Sequence, residues 1–205
     1  MGAVAARGAL IHWAGAYDAL VWLMMGGRER AFRQRLLSLA ALEPGESVLD
    51  AGCGTGSLAI AAKQAVGNSR VEGIDASPEM IARAARKARQ AGVEAAFQVA
   101  SVESLPWPDH TFDVALNTMM LHHLPRDLRR RCVREMRRVL KPEGRVLAVD
   151  FDREGANMGF IGRLHQHGSL RGPQMVELFR DEGFAVRASG PVGVKNLFYV
   201  LATAG

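Results

Sequence analysis

The sequence predicts an α/β domain, a parallel sheet covered by helices on both faces. Two observations lead there. Short apolar runs that end at turn residues alternate with longer stretches whose apolar residues recur every three or four positions. The last two strand-like runs have only a short Gly- and Pro-containing stretch between them, which predicts an antiparallel hairpin closing the sheet. No repeat, low-complexity tract or linker divides the chain, so one domain over residues 1–205 is expected.

The elements follow in order. Ala31–Leu42 reads as a helix with Phe32, Leu36 and Leu39 on one face, and Pro44-Gly45 turns the chain. Ser47–Asp50 is a short buried strand. Ser57–Val66 is a helix closed by Gly67. Arg70–Asp75 is the second strand. Ser77-Pro78-Glu79 starts a helix, with a Ser cap, Pro in the first turn and an acid at the positive end; that helix runs to Gly92. Val93–Ala100 and Phe112–Asn117 are the third and fourth strands. Asp127 caps a helix through Leu140, with Leu128, Cys132, Val133, Met136 and Val139 facing inward. Arg145–Asp150 is the fifth strand. Residues 151–171 read as a variable, irregular or partly helical insertion. Gly172–Glu182 is a helix, and strands near Phe184–Ala188 and Lys195–Ala202 complete the chain.

Composition narrows the class. With 48% hydrophobic and 23% charged residues the chain reads as a soluble globular domain with a real core. The net charge of +5 is read as a basic surface rather than a nucleic-acid site, because charge alone defines no site. Cys53 and Cys132 are far apart and match no metal spacing, so a reduced, cytoplasmic setting is expected. Ala9–Met25 is fairly apolar, but His12, Asp18, Gly15, Gly26 and Gly27 interrupt it. It lacks the basic start and cleavage site of a secretory signal and is too broken for a membrane span, so no stable membrane insertion is expected. Met1-Gly2 has Ala6 where a myristoylation signal carries Ser or Thr.

Residues 48–60, VLDAGCGTGSLAI, carry the chemistry. Gly52 and Gly54 admit backbone conformations that side chains forbid, and they let a ligand approach the main-chain N–H groups. Asp75 lies 19 residues beyond Gly56, at the end of the next strand, where a carboxylate accepts hydrogen bonds from a ribose. Together these point to an adenosine-containing ligand. Dinucleotide sites space their glycines G-x-G-x-x-G, whereas this chain has G-x-G-x-G preceded by Asp50. An acid repels a pyrophosphate and attracts an ammonium and a sulfonium, so Asp50 favours S-adenosylmethionine.

VLDAGCGTG, VEGIDASPEM, ESLPWPDHTFDVALNTMMLHHL and LKPEGRVLAVDF, in this order and spacing, resemble the class I S-adenosylmethionine-dependent methyltransferases, in the small-molecule branch that includes the ubiquinone and menaquinone biosynthesis methyltransferases. The resemblance covers residues 30–150 strongly and the ends more loosely. It implies a Rossmann-like, seven-stranded, mostly parallel sheet with the last strand antiparallel. It implies that the backbone at Gly52, Cys53 and Gly54 holds the methionine end of the cofactor, helped by Asp50. Asp75 would bind the ribose, Ala76 and Met80 would flank the adenine, and Ser101 and Val102 would meet its edge. The Asn117 carbonyl would take the ammonium, with Thr118 and Met119 near the reacting methyl, and Tyr17 would reach the cofactor. The product would be S-adenosylhomocysteine, and no metal is expected. Relatives often carry Asp where this chain has the neutral Ser101, which puts cofactor affinity in question.

A sulfonium methyl is already activated, so the protein's task is to hold an acceptor in line behind it; orientation supplies about 7–11 kcal/mol in favourable cases. A base helps when the acceptor is a phenol or an activated carbon acid. His122, with His123 beside it, follows the fourth strand, and His165 and His167 lie in the insertion; these are the candidate catalytic residues. Residues 1–27 are expected to roof the acceptor as a lid. Trp13, Trp22 and Met25, with Met119 and Phe160, would form a low-polarity pocket for a small hydrophobic or aromatic acceptor. Seven arginines lie in Arg126–Arg138; they alternate with core positions and are read as a solvated face rather than an RNA site. The rival functions are a dinucleotide-dependent oxidoreductase and a non-catalytic module that binds RNA or a partner. A monomer or homodimer is expected.

Overall fold

The computed structural model describes residues 27–152, 170–194 and 196–205. Helices α1 (Glu29–Ala40), α2 (Ser57–Val66), α3 (Pro78–Gln90), α4 (Arg126–Val139) and α5 (Gly172–Asp181) accompany strands β1 (Val48–Ala51), β2 (Val71–Asp75), β3 (Ala96–Val99), β4 (Phe112–Thr118), β5 (Leu140–Phe151), β6 (Ala185–Pro191) and β7 (Leu197–Thr203). They form one seven-stranded sheet in the order β3-β2-β1-β4-β5-β7-β6. The first five strands are parallel, and β7 runs antiparallel to both β5 and β6. The expected fold and the closing hairpin are therefore present.

The strand pattern explains the two-sided cover. On β4, Val114 and Leu116 face the layer that contains Phe32, Leu36, Ala59 and Ala62 from α1 and α2. Ala115 faces the opposite layer, with Cys132, Val133 and Met136 from α4 and Phe179 from α5. Residues buried on both faces of a strand need a continuous apolar run, which is why β1 and β4 lack strict polar alternation. The chain leaves β1 toward β2 and β3 and then returns to place β4 on the other side of β1. That reversal opens a crevice at the carboxyl ends of β1 and β4.

Several boundaries differ from expectation, and three of them have a clear local reason. The Val93 N–H still bonds to the Ala88 carbonyl, so residues 91–95 finish the turn after α3 and β3 begins only at Ala96. β5 begins at Leu140, which pairs with Phe112; the register then jumps so that Arg145 pairs with Val114, and Glu143 takes φ +63° in the bulge between. Pro125, rather than Asp127, precedes the first turn of α4, and Asp127 serves as an acid within that turn.

The arginines serve the fold. Arg145 makes a bidentate pair with Glu46 (2.6 and 2.7 Å) and donates to the Ala40 and Ala41 carbonyls, tying the end of α1 to β5. Arg130 and Arg134 pair with Glu182 at the end of α5. Arg138 bonds to Glu135, Asp109 and the Trp107 and Leu105 carbonyls. Arg129 is buried and donates to the Leu121 carbonyl at 2.8 Å. Four of the seven arginines on α4 are thus engaged within the domain.

One glycine is irreplaceable by packing as well as conformation. Gly56, before α2, has φ +75°, and a Cβ there would stand 2.7 Å from the Ala84 Cβ and 2.8 Å from the Phe97 ring. Gly45 has φ +97° with nothing within 4 Å. Gly45→Ala is expected to cost about 1–2 kcal/mol from backbone strain alone. Gly56→Ala is expected to cost about 3 kcal/mol or more, since a clash adds to the strain. Urea unfolding of both variants measures the difference.

Candidate functional site

The bend from Asp50 to Gly56 joins β1 to α2 at the crevice. Its amides turn inward. The Gly52 and Cys53 N–H groups both donate to the Ile74 carbonyl (2.9 and 2.7 Å), and the Gly54 N–H donates to Asp75 Oδ2 (3.0 Å). The Gly56 N–H donates to the Cys53 carbonyl at 2.9 Å. The sequence reading had these main-chain N–H groups open to a ligand; in the structure they are satisfied by β2 and by the bend itself. Phosphate sites at such bends need amides pointing at the anion, and these do not.

Asp50 lies beneath the bend, 1% exposed. Neither of its carboxylate oxygens meets hydrogen-bond geometry with a donor among the described residues, and the nearby Ala59 amide opposes the cost of burial without offsetting it. Burial pushes its pKa from 3.8 up to about 7, and the Asp75 carboxylate adds to the rise. A buried carboxylate so poorly supplied with hydrogen-bond donors is rare, and a cation suits it. Across the crevice Asn117, fully buried, donates from Nδ2 to the Ala51 carbonyl at 2.7 Å, while its Oδ1 is buried without a partner among the described residues. Two orphaned acceptors at the facing ends of β1 and β4 suit the donor chemistry of an ammonium group.

Asp75, at the end of β2, is oriented by two amides: Oδ1 accepts from the Ser77 N–H (2.9 Å) and Oδ2 from Gly54. Burial raises its pKa, and these amides oppose the rise. Each oxygen keeps lone-pair capacity for a diol. Ser77 caps α3 by accepting from the Met80 N–H, which fixes Met80 and Ala76 beside that carboxylate. Ser101 and Val102 are buried after β3. The Cys53 thiol is pushed well above its ordinary pKa by burial, with the Asp50 and Asp75 carboxylates adding, so it stays protonated.

An open cleft brings Cys53 and Thr55 of the bend together with Thr118 and Met119 at the end of β4 and with Phe32 and Arg33 of α1. Met119 adopts φ +51°, held by its N–H on the Val149 carbonyl at 2.7 Å. Left-handed backbone at a β-strand end is strain that surrounding structure must enforce. Met120 covers Gly52, whose missing Cβ would lie 2.6 Å from the Met120 Cγ.

Beyond β4, residues Leu121–His123 form a 3₁₀ turn. Asp150, at the end of β5, accepts from the His122 backbone N–H at 3.0 Å and meets the His122 Nδ1 at 2.7 Å. Asp152 instead accepts from the Gly172 N–H, so the two acids work separately. The expected contributors Trp13, Tyr17, Trp22, Met25, Phe160, His165 and His167 lie outside the described residues. Sequence reasoning did not name Phe32 and Arg33 of the cleft wall, the Asn117 side chain as an acceptor, or the contact of Asp150 with His122. A readable signal existed for Asp150: like Asp50 and Asp75, it closes an apolar strand with an acid.

The Asp50 shift has a thermodynamic sign. Its pKa is raised on folding, so the folded chain prefers the protonated acid. The associated destabilisation is absent below pH 3.8, grows as pH rises and is complete above about pH 7. The gap from 3.8 to about 7 corresponds to about 4 kcal/mol at most. Asp50→Asn is therefore expected to stabilise the ligand-free chain at pH 8 and to flatten its stability between pH 4 and 7, as read by chemical denaturation at a series of pH values.

Residues 48–144 match a protein family described as a methyltransferase domain. Over 149 residues the chain is 31% identical to the ubiquinone/menaquinone biosynthesis C-methyltransferase UbiE of Bdellovibrio bacteriovorus, a match covering 73% of this chain and 62% of that protein. Over 135 residues it is 34% identical to the demethylmenaquinone methyltransferase of Thermus thermophilus, covering 66% and 60%. The chain thus spans about three fifths of the length of these curated relatives. In fold it is similar to a SAM dependent methyltransferase from Aquifex aeolicus, with a TM-score of 0.74, 24% identity and coverage of 84% of this chain and 89% of that one. In sequence the chain is thus similar to methyltransferases, the ubiquinone and menaquinone biosynthesis C-methyltransferases among them, and it shares the fold of a SAM dependent methyltransferase.

Proposed function

We propose that this chain transfers a methyl group from S-adenosylmethionine to a small hydrophobic, aromatic acceptor by in-line displacement. One observation carries the reading: a buried carboxylate with no hydrogen bond among the described residues, Asp50, lies under a glycine bend whose Gly52, Cys53, Gly54 and Gly56 amides are already satisfied. A cation resolves the first feature, and a pyrophosphate has nothing to hold it at the second. That weighs against the dinucleotide reading. When bound, the cofactor supplies an activated methyl on a sulfonium that leaves as a neutral thioether. The chain supplies position and charge. Asp50 and the Asn117 region would hold the methionine end, with Gly52, Cys53 and Gly54 close by. Asp75 would hold the ribose, Ala76, Met80, Ser101 and Val102 the adenine, and Thr118 the methyl-bearing end.

The acceptor side rests on Met119 at the cleft wall and on the expected lid of residues 1–27, with Trp13, Tyr17, Trp22 and Met25, together with Phe160. The printed names of the two relatives, both quinone-pathway methyltransferases, support an aromatic ring as the acceptor. His122, His165 and His167 are the candidate bases. No described helix is long and apolar enough to cross a membrane.

Calorimetric titration tests the donor. S-adenosylhomocysteine is expected to bind and NAD is not; the reverse would sink the proposal. Asp75→Ala is expected to weaken S-adenosylhomocysteine binding about tenfold or more, since hydrogen bonds to a charged group contribute about 1.5–3 kcal/mol. A methyl-transfer screen over phenols, hydroquinones, amines and lipid headgroups tests the acceptor. Trp22→Ala with Met25→Ala should lower turnover of the acceptor found while leaving cofactor affinity unchanged.

A further inference from the structure

The acid that closes β5 has no part in cofactor binding as described above, yet it is as buried as Asp50, at 1% exposure. Its donors differ from those of Asp50. Asp150 Oδ2 accepts the His122 backbone N–H (3.0 Å), and Oδ1 meets both the His122 Nδ1 (2.7 Å) and the Phe151 N–H (2.7 Å). The same turn is held from the other side by the buried Arg129, which donates from Nε to the Leu121 carbonyl at 2.8 Å. The His122 ring lies edge-on to Phe151, centroids 5.0 Å apart, and beside the His123 ring at 3.9 Å. A 3₁₀ turn of three residues is thus fixed at backbone and ring together.

Resting on the methyl-transfer reading above, we propose that Asp150 is a positioning residue. It holds His122 as a base for an acceptor that must lose a proton when methylated, such as a hydroxyl or an enol-like carbon of an electron-rich ring. With an Asp150 oxygen as the acceptor 2.7 Å from Nδ1, that nitrogen carries the proton and the lone pair of the ring lies on Nε2. The site's topology fits. Asp50 and Asp75 hold the carboxyl ends of β1 and β2, whereas the Asp150–His122 pair closes the ends of β5 and β4. The Asp150–His122 pair thus lies on the β4–β5 side of the β1–β4 reversal, and Asp50 and Asp75 lie on the β1–β2 side.

The step balances without another reactant. The acceptor's proton passes to His122 Nε2, and the acceptor's electron pair forms the new bond to the methyl carbon. The carbon–sulfur bond breaks with its electrons to sulfur, and the imidazolium formed is stabilised by Asp150 until its proton goes to water. An acceptor with no proton to lose, such as a thioether, would gain nothing from the pair.

Nitrogen-15 NMR of the S-adenosylhomocysteine complex reads the tautomer without any acceptor. The neutral His122 ring is expected to carry its proton on Nδ1 in the wild type and to lose that single assignment in Asp150→Asn. A wild-type ring protonated on Nε2 overturns the proposal. With the acceptor found in the screen, Asp150→Asn and His122→Gln should each lower kcat by about a hundredfold, within the usual span for removing a general base, while KM for both substrates moves less than about threefold. A His122→Gln enzyme keeping more than about half its kcat overturns the proposal as well. If Asp150→Asn fails to fold, the wild-type tautomer and His122→Gln still decide. Failure to bind S-adenosylhomocysteine sinks the methyl-transfer reading instead, and the tautomer of the free protein then reports on the pair separately.

Discussion

The domain is organised around a carboxylate that its fold leaves unsatisfied. Asp50 lies near the end of β1 in the middle of a sheet covered on both faces, 1% exposed and with no hydrogen bond to its carboxylate oxygens among the described residues. Burying an acid in this way works against folding. What the position gains is a preorganised site: a cation arriving there meets a charge already oriented, in surroundings of low dielectric where attraction is strong. The reversal of strand order beside β1 places this charge in the crevice rather than in the core.

The surrounding residues serve that arrangement. Ile74 and Asp75 take up the amides of the bend, which holds the glycines against β2 without any ligand. Asn117 joins β4 to the end of β1, and the Arg145–Glu46 pair, with two carbonyls of α1, ties that helix to β5. These contacts are polar, and their donors and acceptors are matched, unlike those of the site. The contrast between a satisfied frame and unsatisfied acceptors marks the crevice as a place for a ligand.

The fold was largely legible in the sequence because strand and helix periods differ and most strands end at a turn residue or an acid. The bounds of β3 and β5 were not. Val93 continues a helical turn by a backbone bond that its side chain does not announce, and the bulge at residues 141–144 has no apolar signature. The cofactor side was legible through glycine spacing, Asp50 and Asp75. The direction of the bend's amides was not, since only folding shows that the Ile74 carbonyl reaches them first. Asp150 was visible as a strand-closing acid, but its partner lies 28 residues away in sequence, and only the β4–β5 pairing brings His122 to it.

Phe97 sits on the edge strand β3, yet its ring fills the space where Cβ atoms of both Gly56 and Gly73 would be. The edge of the sheet is therefore in mechanical contact with the floor of the binding bend. A change of ring size at Phe97 would reach the bend through those two glycines without altering any group that touches a ligand. Affinity for the donor can in this way drift, or be engineered, from a half-exposed position at the periphery, independently of the chemistry at the acceptor side.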